Sequence, residues 1–344
     1  MTGKTHHKIC LVPKLKGLGG TASFQAKLTG SLSTRGIEYT YDLRDPGVGV
    51  ILVVGGTRRF RDLDLARQRG ALIVQRLDGI NWLHRRRYTG VRHFLRAEIN
   101  NWIIAHIRRS IADRIVYQSR FVRRWWEERY GDPGKPAVII HNGVDLGFYT
   151  PKGPGELPVD HFRLLLVEGR LGGGYHMGLE NAAMLTGQLQ HRHHLPVILR
   201  VVGEVPDRLK NQITEKNACE IEWMGVVSRR EIPELDRSAH AFFSADLNAA
   251  CPNAVIEALA CGLPVVAFDT GALRELVTGG SGRIVPYGGN VWRLEPPDVS
   301  ALADACVDVL KNNGKYRQAA RTLAEKRFSL DEMVDRYCKT WDSI

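Results

Sequence analysis

Residues 245–268 read ADLNAACPNAVIEALACGLPVVAF, an order that predicts a strand end, a turn, a helix and a second strand. Pro252 lies in the turn, and the helix is predicted from about Asn253 to Ala260. The first turn of such a helix offers free backbone N–H groups and the positive end of the helix dipole, which favour an anion such as a diphosphate. Glu257 lies about one turn in, where its carboxylate can accept hydrogen bonds from a ribose diol. The alternative is a helix-surface glutamate without a ligand.

Around this stretch, buried apolar segments alternate with segments of helical length. In the first half, strands are predicted at 8–13, 38–43, 49–56, 71–77, 114–118 and 137–145. In the second half, they are predicted at 162–169, 196–203, 220–225, 240–245, 263–268 and 282–287. Helices are predicted at 21–35, 102–110, 120–130, 299–312, 315–326 and 329–341, with Ser300 and Ser329 as caps. The alternation predicts an α/β fold with doubly wound parallel sheets.

The length of 344 residues suits two domains. TPKGPGELP (150–158) is the predicted linker, because its prolines and glycines disfavour both helix and central strand. We therefore expect an N-terminal domain at 1–152 and a C-terminal domain at 159–328, with the last helix, 329–344, packing back on the first domain. Ligands are expected in a central cleft that the carboxyl ends of both sheets face.

The chain has a formal net charge of +11, with arginines concentrated between residues 58 and 129. This distribution predicts a surface that attracts anions, such as lipid headgroups, a lipid-phosphate acceptor or nucleic acid, or else a solvated helix surface. Six scattered cysteines without CxxC spacing argue against a disulfide framework or a zinc cluster. No apolar run approaches the roughly 20 residues that span a bilayer, so a cytoplasmic location is expected.

Several motifs together resemble those of the family 4 glycosyltransferases, which have the GT-B fold of two Rossmann-like domains. That family carries a segment like E-G-x-P-N-x-x-x-E-A-x-A-x-G-x-P-V-V-A, which here reads AACPNAVIEALACGLPVVA (249–267). The other matching segments are GLGGTAS (17–23), IVYQSRFV (115–122), VIIHNGVD (138–145), LVEGRL (166–171) and GSGRIVP (280–286). The resemblance thus extends over nearly the whole chain.

The resemblance implies transfer of a hexose from a nucleotide-diphosphate donor of UDP or GDP type, with retention of configuration and with no metal or other cofactor. Glu257 would bind the ribose and Arg170 the diphosphate, where a cation stabilises the charge that develops on the leaving group. The expected donor-binding residues are Gly19, Gly20, Arg170, His176, Gly225, Pro252, Asn253, Ala254 and Glu257. Asp78 and Arg170 are the expected catalytic residues.

Two positions depart from the family pattern. Ala249 stands where the family has a glutamate that contacts the transferred sugar, and Met177 stands where it tends to have a lysine. Asp246, Asn248 or His176 could take over these contacts. The alternative function is therefore a nucleotide-binding protein of this fold whose transferase activity is lost or altered.

The acceptor side is predicted from VQRLDGINW (74–82), which places Arg76, Asp78 and Asn81 just after a strand. Asp78 either contacts the acceptor or caps the turn before Gly79. The resemblance implies a glycan or lipid-linked acceptor of cell-envelope polysaccharide synthesis, at the inner membrane surface. No nucleic acid partner is expected.

Weaker patterns support other hypotheses. GLGGTA (17–22) matches the GxGxxA pattern of dinucleotide-binding folds, with Asp42 near the expected distance, which would suit a dehydrogenase. Asp62 and Asp64 form a DxD, interpreted either as a metal site or as part of a salt-bridged helix. The histidines of QHRHHLP (190–196) could bind a metal but lack an acidic neighbour in sequence. Trp125 and Trp126, beside arginines, suit either a membrane-interface helix or a half-buried one.

Overall fold

A computed structural model describes residues 8–17, 19–172, 176–217 and 219–342. The chain divides into two units, Met1–Asn142 with Leu330–Ile344, and Gly143–Ser329. The division falls ahead of the predicted linker. Residues 150–158 contain no helix or strand. Their carbonyl groups at Thr150 and Pro154 accept hydrogen bonds from Arg237, which ties the segment to the second unit.

The N-terminal unit is a six-stranded parallel sheet in the order β2-β1-β3-β4-β5-β6. Its strands are β1 (Lys8–Val12), β2 (Tyr39–Thr40), β3 (Val48–Val54), β4 (Leu72–Leu77), β5 (Arg114–Tyr117) and β6 (Ala137–Ile139). Its helices are α1 (Gly20–Thr34), α2 (Phe60–Gln68), α3 (Val91–His106), a π-helical turn (Ile107–Ile111), α4 (Arg120–Tyr130) and the C-terminal helix (Leu330–Asp342).

Both faces of this sheet are covered, as expected for parallel strands. Successive residues of β3 alternate between two cores. Leu52 packs with Phe24 of α1 and with Tyr337 of the C-terminal helix. Ile51 packs on the opposite face with Leu63 of α2 and with Ile103 of α3. The strand order reverses between β1 and β3, so the loop from β1 to α1 lies at the switch point where ligands of such sheets bind.

The C-terminal unit is a second six-stranded parallel sheet, in the order β12-β11-β10-β7-β8-β9. Its strands are β7 (Phe162–Arg170), β8 (Val197–Glu204), β9 (Ile221–Gly225), β10 (Ala241–Phe243), β11 (Val265–Phe268) and β12 (Gly282–Val285). Its helices are α5 (Met177–His191), α6 (Asp207–Lys216), α7 (Ile232–Arg237), α8 (Asn253–Ala260), α9 (Leu273–Leu276), α10 (Val299–Lys311) and α11 (Asn313–Arg327). The strand order reverses between β7 and β10.

Some element boundaries differ from the sequence prediction. The helix expected at 102–110 begins at Val91, and its buried residues are Ala97, Asn101 and Ile103. The strand expected at 38–43 is only two residues long. The cap of α10 is Asp298, not Ser300: its Oδ1 accepts the backbone N–H of Ala301 at 2.9 Å.

Candidate active site

The candidate site of the C-terminal unit lies at the carboxyl ends of β7 and β10. These strands pair directly, with Leu165 opposite Phe242. The chain after β10 runs through a loop at 244–252 into α8. A Cβ atom on Gly178 would lie 2.0 Å from the carbonyl oxygen of Ala245, so only glycine allows the start of α5 this close to the loop. The first turns of α5 and α8 are therefore both attached to this one edge.

Helix α8 supplies backbone donors at this edge. It begins at Asn253, directly after Pro252, whose extended backbone (φ −67°, ψ 121°) turns the chain into the helix. Pro252, the N-cap residue, has no side-chain group that could accept the first-turn N–H groups. Amides of a first helical turn have no partner within their own helix and suit a phosphate. The predicted donor-binding residues Pro252, Asn253 and Ala254 thus form one continuous helix start.

Glu257 lies one turn further along α8 and is buried, with 9% of its surface exposed. Burial, and then the charge of Glu257, raises the pKa of the Asp236 carboxyl well above its ordinary value. The pKa of the Tyr149 phenol is raised for the same two reasons. A solvated surface position would not couple to buried groups in this way, so the structure does not support the interpretation of Glu257 as a helix-surface glutamate.

Arg170 is the last residue of β7, and 74% of its side chain is exposed. Its only ion pair among the described residues joins Nη2 to Oε1 of Glu204 at 3.3 Å, and the Glu204 side chain is itself exposed. An exposed pair of this kind contributes little stability. The guanidinium group can therefore exchange Glu204 for a diphosphate at small cost.

Two acidic residues, Glu168 and Asp246, lie at the ends of β7 and β10. Burial, and then the nearby Asp246 carboxylate, raises the pKa of Glu168 to about 8. The pKa of Asp246 is raised as well, because the surrounding protein restricts its solvation even though the side chain is exposed by area. Sequence reasoning named Asp246 as a substitute sugar contact but missed Glu168, because the pair forms only when β7 and β10 become neighbours.

The loop from β10 to α8 differs from the family motif at Ala249. Its side chain is 1% exposed, and its backbone oxygen accepts the N–H of Ala272 at 2.8 Å. The preceding Asn248 is buried with a left-handed backbone (φ 62°), and its Nδ2 donates to no other group among the described residues. An amide donor without a partner at this position is suited to a hydroxyl group of a ligand.

Two further predicted donor-binding residues lie on the same edge. His176 immediately precedes α5 and is partly buried. Gly225 ends β9, which is separated from β7 by β8. Its φ of 67° favours glycine at the turn that follows.

In the N-terminal unit, Gly19 and Gly20 lie where the chain leaves β1 for α1. Gly19 is the N-cap of α1, and both glycines are exposed. A Cβ atom on Gly19 would meet no described atom within 4 Å, so glycine leaves open space beside this helix start. The two residues thus lie at the switch point of their own sheet.

Arg76, predicted on the acceptor side, is 1% exposed. Its Nη1 donates to Oδ1 of Asp78 at 2.9 Å, and its Nη2 donates to Oδ1 of Asn142 at 2.8 Å. The guanidinium carbon lies 3.8 Å from the ring centroid of Phe24. Arg76 therefore fixes Asp78, which keeps about a third of its own side chain exposed.

Asn81 is held by a reciprocal amide contact. Its backbone N–H and its Nδ2 both donate to Oδ1 of Asn101 at 3.0 Å, and Nδ2 of Asn101 donates back to the Asn81 carbonyl at 2.8 Å. The loop is closed further by Nε1 of Trp126, which donates to the Asp78 carbonyl at 2.7 Å. Of the three predicted acceptor-side residues, the structure joins Arg76 to Asp78 and attaches Asn81 to α3.

Comparisons with known proteins agree with this architecture. Residues 63–148 match the model of Glycosyltransferase Family 4, and residues 163–312 match that of Glycosyl transferases group 1. The chain belongs to glycosyltransferase family 4. The two matches together place both halves of this glycosyltransferase in the assignment.

Solved structures show that the family 4 chain has the GT-B fold. HepE of Anabaena, solved with UDP and glucose, is 16% identical with a TM-score of 0.71, covering 98% of this chain and 100% of that one. Sucrose-phosphate synthase of Thermosynechococcus elongatus is 17% identical with a TM-score of 0.70, covering 95% and 80%. WaaG, a glycosyltransferase involved in lipopolysaccharide biosynthesis, is 13% identical with a TM-score of 0.70, covering 98% and 100%. No curated protein matches the chain significantly.

The weaker metal patterns of this glycosyltransferase lie in ion pairs. Asp62 binds Nε of Arg59 at 2.8 Å, and Asp64 lies 3.5 Å from Nη2 of Arg67, as expected for a salt-bridged helix. His193, from the QHRHHLP segment, lies 3.1 Å from Asp304. Within the described ranges, no group of three or more histidine, cysteine, aspartate or glutamate side chains is arranged to hold a metal ion.

Two alternatives remain, a dehydrogenase and a membrane-interface helix at Trp125 and Trp126. The family assignment leaves the dehydrogenase hypothesis without support, although Gly17 does adopt a glycine-favouring φ of 104°. Trp126 is fully buried and cannot reach a lipid headgroup, while Trp125 is partly buried and Arg124 is exposed, which agrees with the half-buried alternative. Helices in the described part of the chain also lack the combined length and apolarity that spanning a bilayer requires.

Proposed function

We propose that this chain is a retaining hexosyltransferase that uses a nucleotide-diphosphate sugar and needs no metal ion or other cofactor. The observation that carries the proposal is the edge formed by β7 and β10, where the start of α8, the buried Glu257 and the exposed Arg170 occur together. This combination offers backbone donors for phosphate, a carboxylate for a ribose diol and a cation for the diphosphate.

The donor is proposed to be of UDP or GDP type. HepE, a structural neighbour, was solved with UDP and with UDP-glucose. In the present chain, Arg170 would neutralise the charge that grows on the diphosphate as the glycosidic bond breaks, a role that a divalent metal fills in other enzymes. Asp246 and Asn248 would contact the transferred sugar in place of the carboxylate that Ala249 lacks.

The acceptor is proposed to be a glycan or lipid-linked saccharide of cell-envelope polysaccharide synthesis, on the cytoplasmic face of the inner membrane. The concentration of arginines in the N-terminal unit supports a phosphate-bearing acceptor. The likeness to WaaG supports an envelope role. Asp78, fixed by Arg76 and still partly exposed, is the side chain proposed to contact the acceptor hydroxyl.

Donor binding is tested by thermal shift and titration calorimetry with UDP, GDP and ADP. A ligand at 100 times its dissociation constant stabilises the protein by about 2.7 kcal/mol, a shift of roughly 5–10 °C. Glu257→Gln should weaken the preferred nucleotide by about tenfold to a hundredfold, because it loses charge-assisted hydrogen bonds worth about 1.5–3 kcal/mol. Glu215→Gln, on the exposed face of α6, is the matched control and should bind normally.

Transfer itself is tested by nucleotide release from a panel of UDP and GDP sugars with lipid-extract acceptors. Retention predicts that the product keeps the anomeric configuration of the donor, as read by NMR coupling constants. Full activity after removal of divalent cations with EDTA is expected. Equal nucleotide affinity of the Glu257→Gln variant and of wild type would refute the site.

A second candidate is a binding protein that holds the nucleotide without transferring a sugar. The buried Ala249 favours it, since the glutamate of the family motif is absent at that position. This candidate predicts normal nucleotide affinity, sensitivity to Glu257→Gln and no nucleotide release from any donor. Release from even one donor, abolished by Arg170→Met, would exclude it.

A further inference from the structure

Helix α3 exposes a row of large apolar side chains, here called the α3 surface. Its members are Val91, Phe94, Leu95, Ile99 and Trp102, each between 42% and 65% exposed. At 100° per residue, Val91, Leu95, Ile99 and Trp102 fall within an arc of about 80°. The row is therefore one continuous stripe along the helix.

This stripe is not the face that holds α3 on its own domain. The buried residues of the helix are Ala97, Asn101 and Ile103. Ile103 packs in the core with α2 and β3, and Asn101 holds Asn81. A helix on a soluble protein usually places polar residues on its outer face, and a contiguous apolar outer face marks an interaction site.

Positive charge borders the stripe. Arg92 and Arg96 lie on α3 beside it, and among the described residues neither has an ion-pair partner. Residues 83–106 contain five arginines and one glutamate, a net charge of +4. That glutamate, Glu98, is bound by Arg85 at 2.5 Å and by His84, and these contacts lower its pKa to about 2. Glu98 thus neutralises Arg85 and leaves Arg92 and Arg96 available.

Aromatic groups continue the α3 surface at its C-terminal end. The ring of Trp102 stacks on His106 with centroids 5.3 Å apart, and it meets Phe60 of α2 edge-on at 6.3 Å. At the other end, Tyr88 is 90% exposed in the loop before α3. An indole ring beside apolar and cationic residues is typical of helices that lie at the boundary of headgroups and acyl chains.

We propose that the α3 surface docks on an anionic lipid bilayer, with the apolar stripe entering the headgroup boundary and Arg92 and Arg96 binding lipid phosphates. The juxtaposition of unpaired cations and an apolar stripe along one helix favours this occupant, because an anionic bilayer offers lipid phosphates to the arginines beside acyl chains for the stripe. The surface replaces α4 of the sequence-based hypothesis, where Trp126 is buried. The inference rests on the membrane location proposed above but not on sugar transfer, so vesicle binding and nucleotide release test the two separately.

The test is co-sedimentation of the full chain with vesicles of phosphatidylcholine alone or with 40% phosphatidylglycerol. Wild type should bind the anionic vesicles, and the binding should weaken as salt rises. Arg92→Gln with Arg96→Gln should lower the partition coefficient about thirtyfold, since each arginine near an anionic surface contributes about 1 kcal/mol. Leu95→Ser with Ile99→Ser should lower it about tenfold or more, even at low salt.

Arg208→Gln with Lys216→Gln on α6 removes the same charge from the other unit and should leave binding unchanged. Brominated lipid should quench tryptophan fluorescence in wild type and much less in Trp102→Phe, because Trp102 is the only one of the seven tryptophans with a largely exposed side chain. An unchanged Tm checks that each variant is folded.

Equal binding to neutral and anionic vesicles, or full binding by the Leu95 and Ile99 variant, would overturn the proposal. So would a dimer that this variant abolishes, which would identify a second copy as the occupant.

Discussion

The two units place an arginine near the carboxyl end of an inner strand, and they use it in opposite ways. Arg170, at the end of β7, has 74% of its side chain exposed and a single exposed ion-pair partner. Arg76, one residue before the end of β4, is 1% exposed and is bound by Asp78, Asn142 and the ring of Phe24. The C-terminal unit thus leaves its cation available for a ligand, whereas the N-terminal unit builds its cation into the structure.

This difference in arginine burial bears on how each unit would recognise its ligand. In the site proposed for the C-terminal unit, a nucleotide would meet helix amides, Arg170 and Glu257 directly. In the site proposed for the N-terminal unit, Arg76 holds Asp78, so an acceptor would meet the aspartate and not the arginine. A basic residue in a sequence motif therefore indicates an anionic ligand only where its side chain is exposed.

The largest effect that this comparison predicts is the loss of stability caused by Arg76→Met. Removing a buried guanidinium leaves Asp78 and Asn142 without their donor, at a cost of about 2–3 kcal/mol. Thermal unfolding should shift downward by roughly 5–10 °C. A Tm within 1 °C of wild type would show that Arg76 is not a structural element.

The same substitution in the other unit, Arg170→Met, should give the opposite result. Stability should change by less than about 0.5 kcal/mol, because the pair with Glu204 is exposed. Nucleotide-diphosphate affinity, measured by titration calorimetry, should fall about tenfold or more through loss of a charge-assisted contact. The nucleoside without phosphates should show no such loss. If both arginine variants lost stability alike, the comparison between the units would fail.

The smallest expected effect is a pH dependence that Glu168 imposes on the C-terminal unit. Because its pKa is raised to about 8, the folded chain retains a proton that the unfolded chain releases near pH 4.3. The resulting stability is fully present below about pH 4 and is lost as the pH rises to about 8. Between pH 5.5 and 8, wild type should lose about 1 kcal/mol more than Glu168→Gln does.

This pH effect is measured as Tm against pH for wild type, Glu168→Gln and the control Glu215→Gln. The control should follow wild type, since Glu215 lies on the exposed face of α6. Identical slopes in all three proteins would mean that Glu168 and Asp246 do not share a crowded site.

Sequence periodicity predicted much of the fold because most strands are rich in apolar residues and lie between segments of helical length. The bounds predicted for the helices Arg120–Tyr130 and Asn253–Ala260 are those of α4 and α8. The start of α3 was missed although Val91, Leu95 and Ile99 have helical spacing, because the arginines at 85–87, 92 and 96 interrupt the apolar pattern. Asp298 was overlooked as a cap because Ser300, two residues later, gives a similar local signal.

The amino-acid sequence by itself determined the family, the two parallel sheets and the candidate nucleotide site around Glu257, because these depend on local patterns of glycine, proline and apolar residues. Only the tertiary structure decided which charged side chains are exposed to a ligand and which are buried. Arg76 is covered because α1 places Phe24 over it and the chain returns at Asn142, while Glu168 meets Asp246 because β10 pairs with β7. Such contacts join residues 52 to 78 positions apart, and burial depends on which of these distant segments become neighbours.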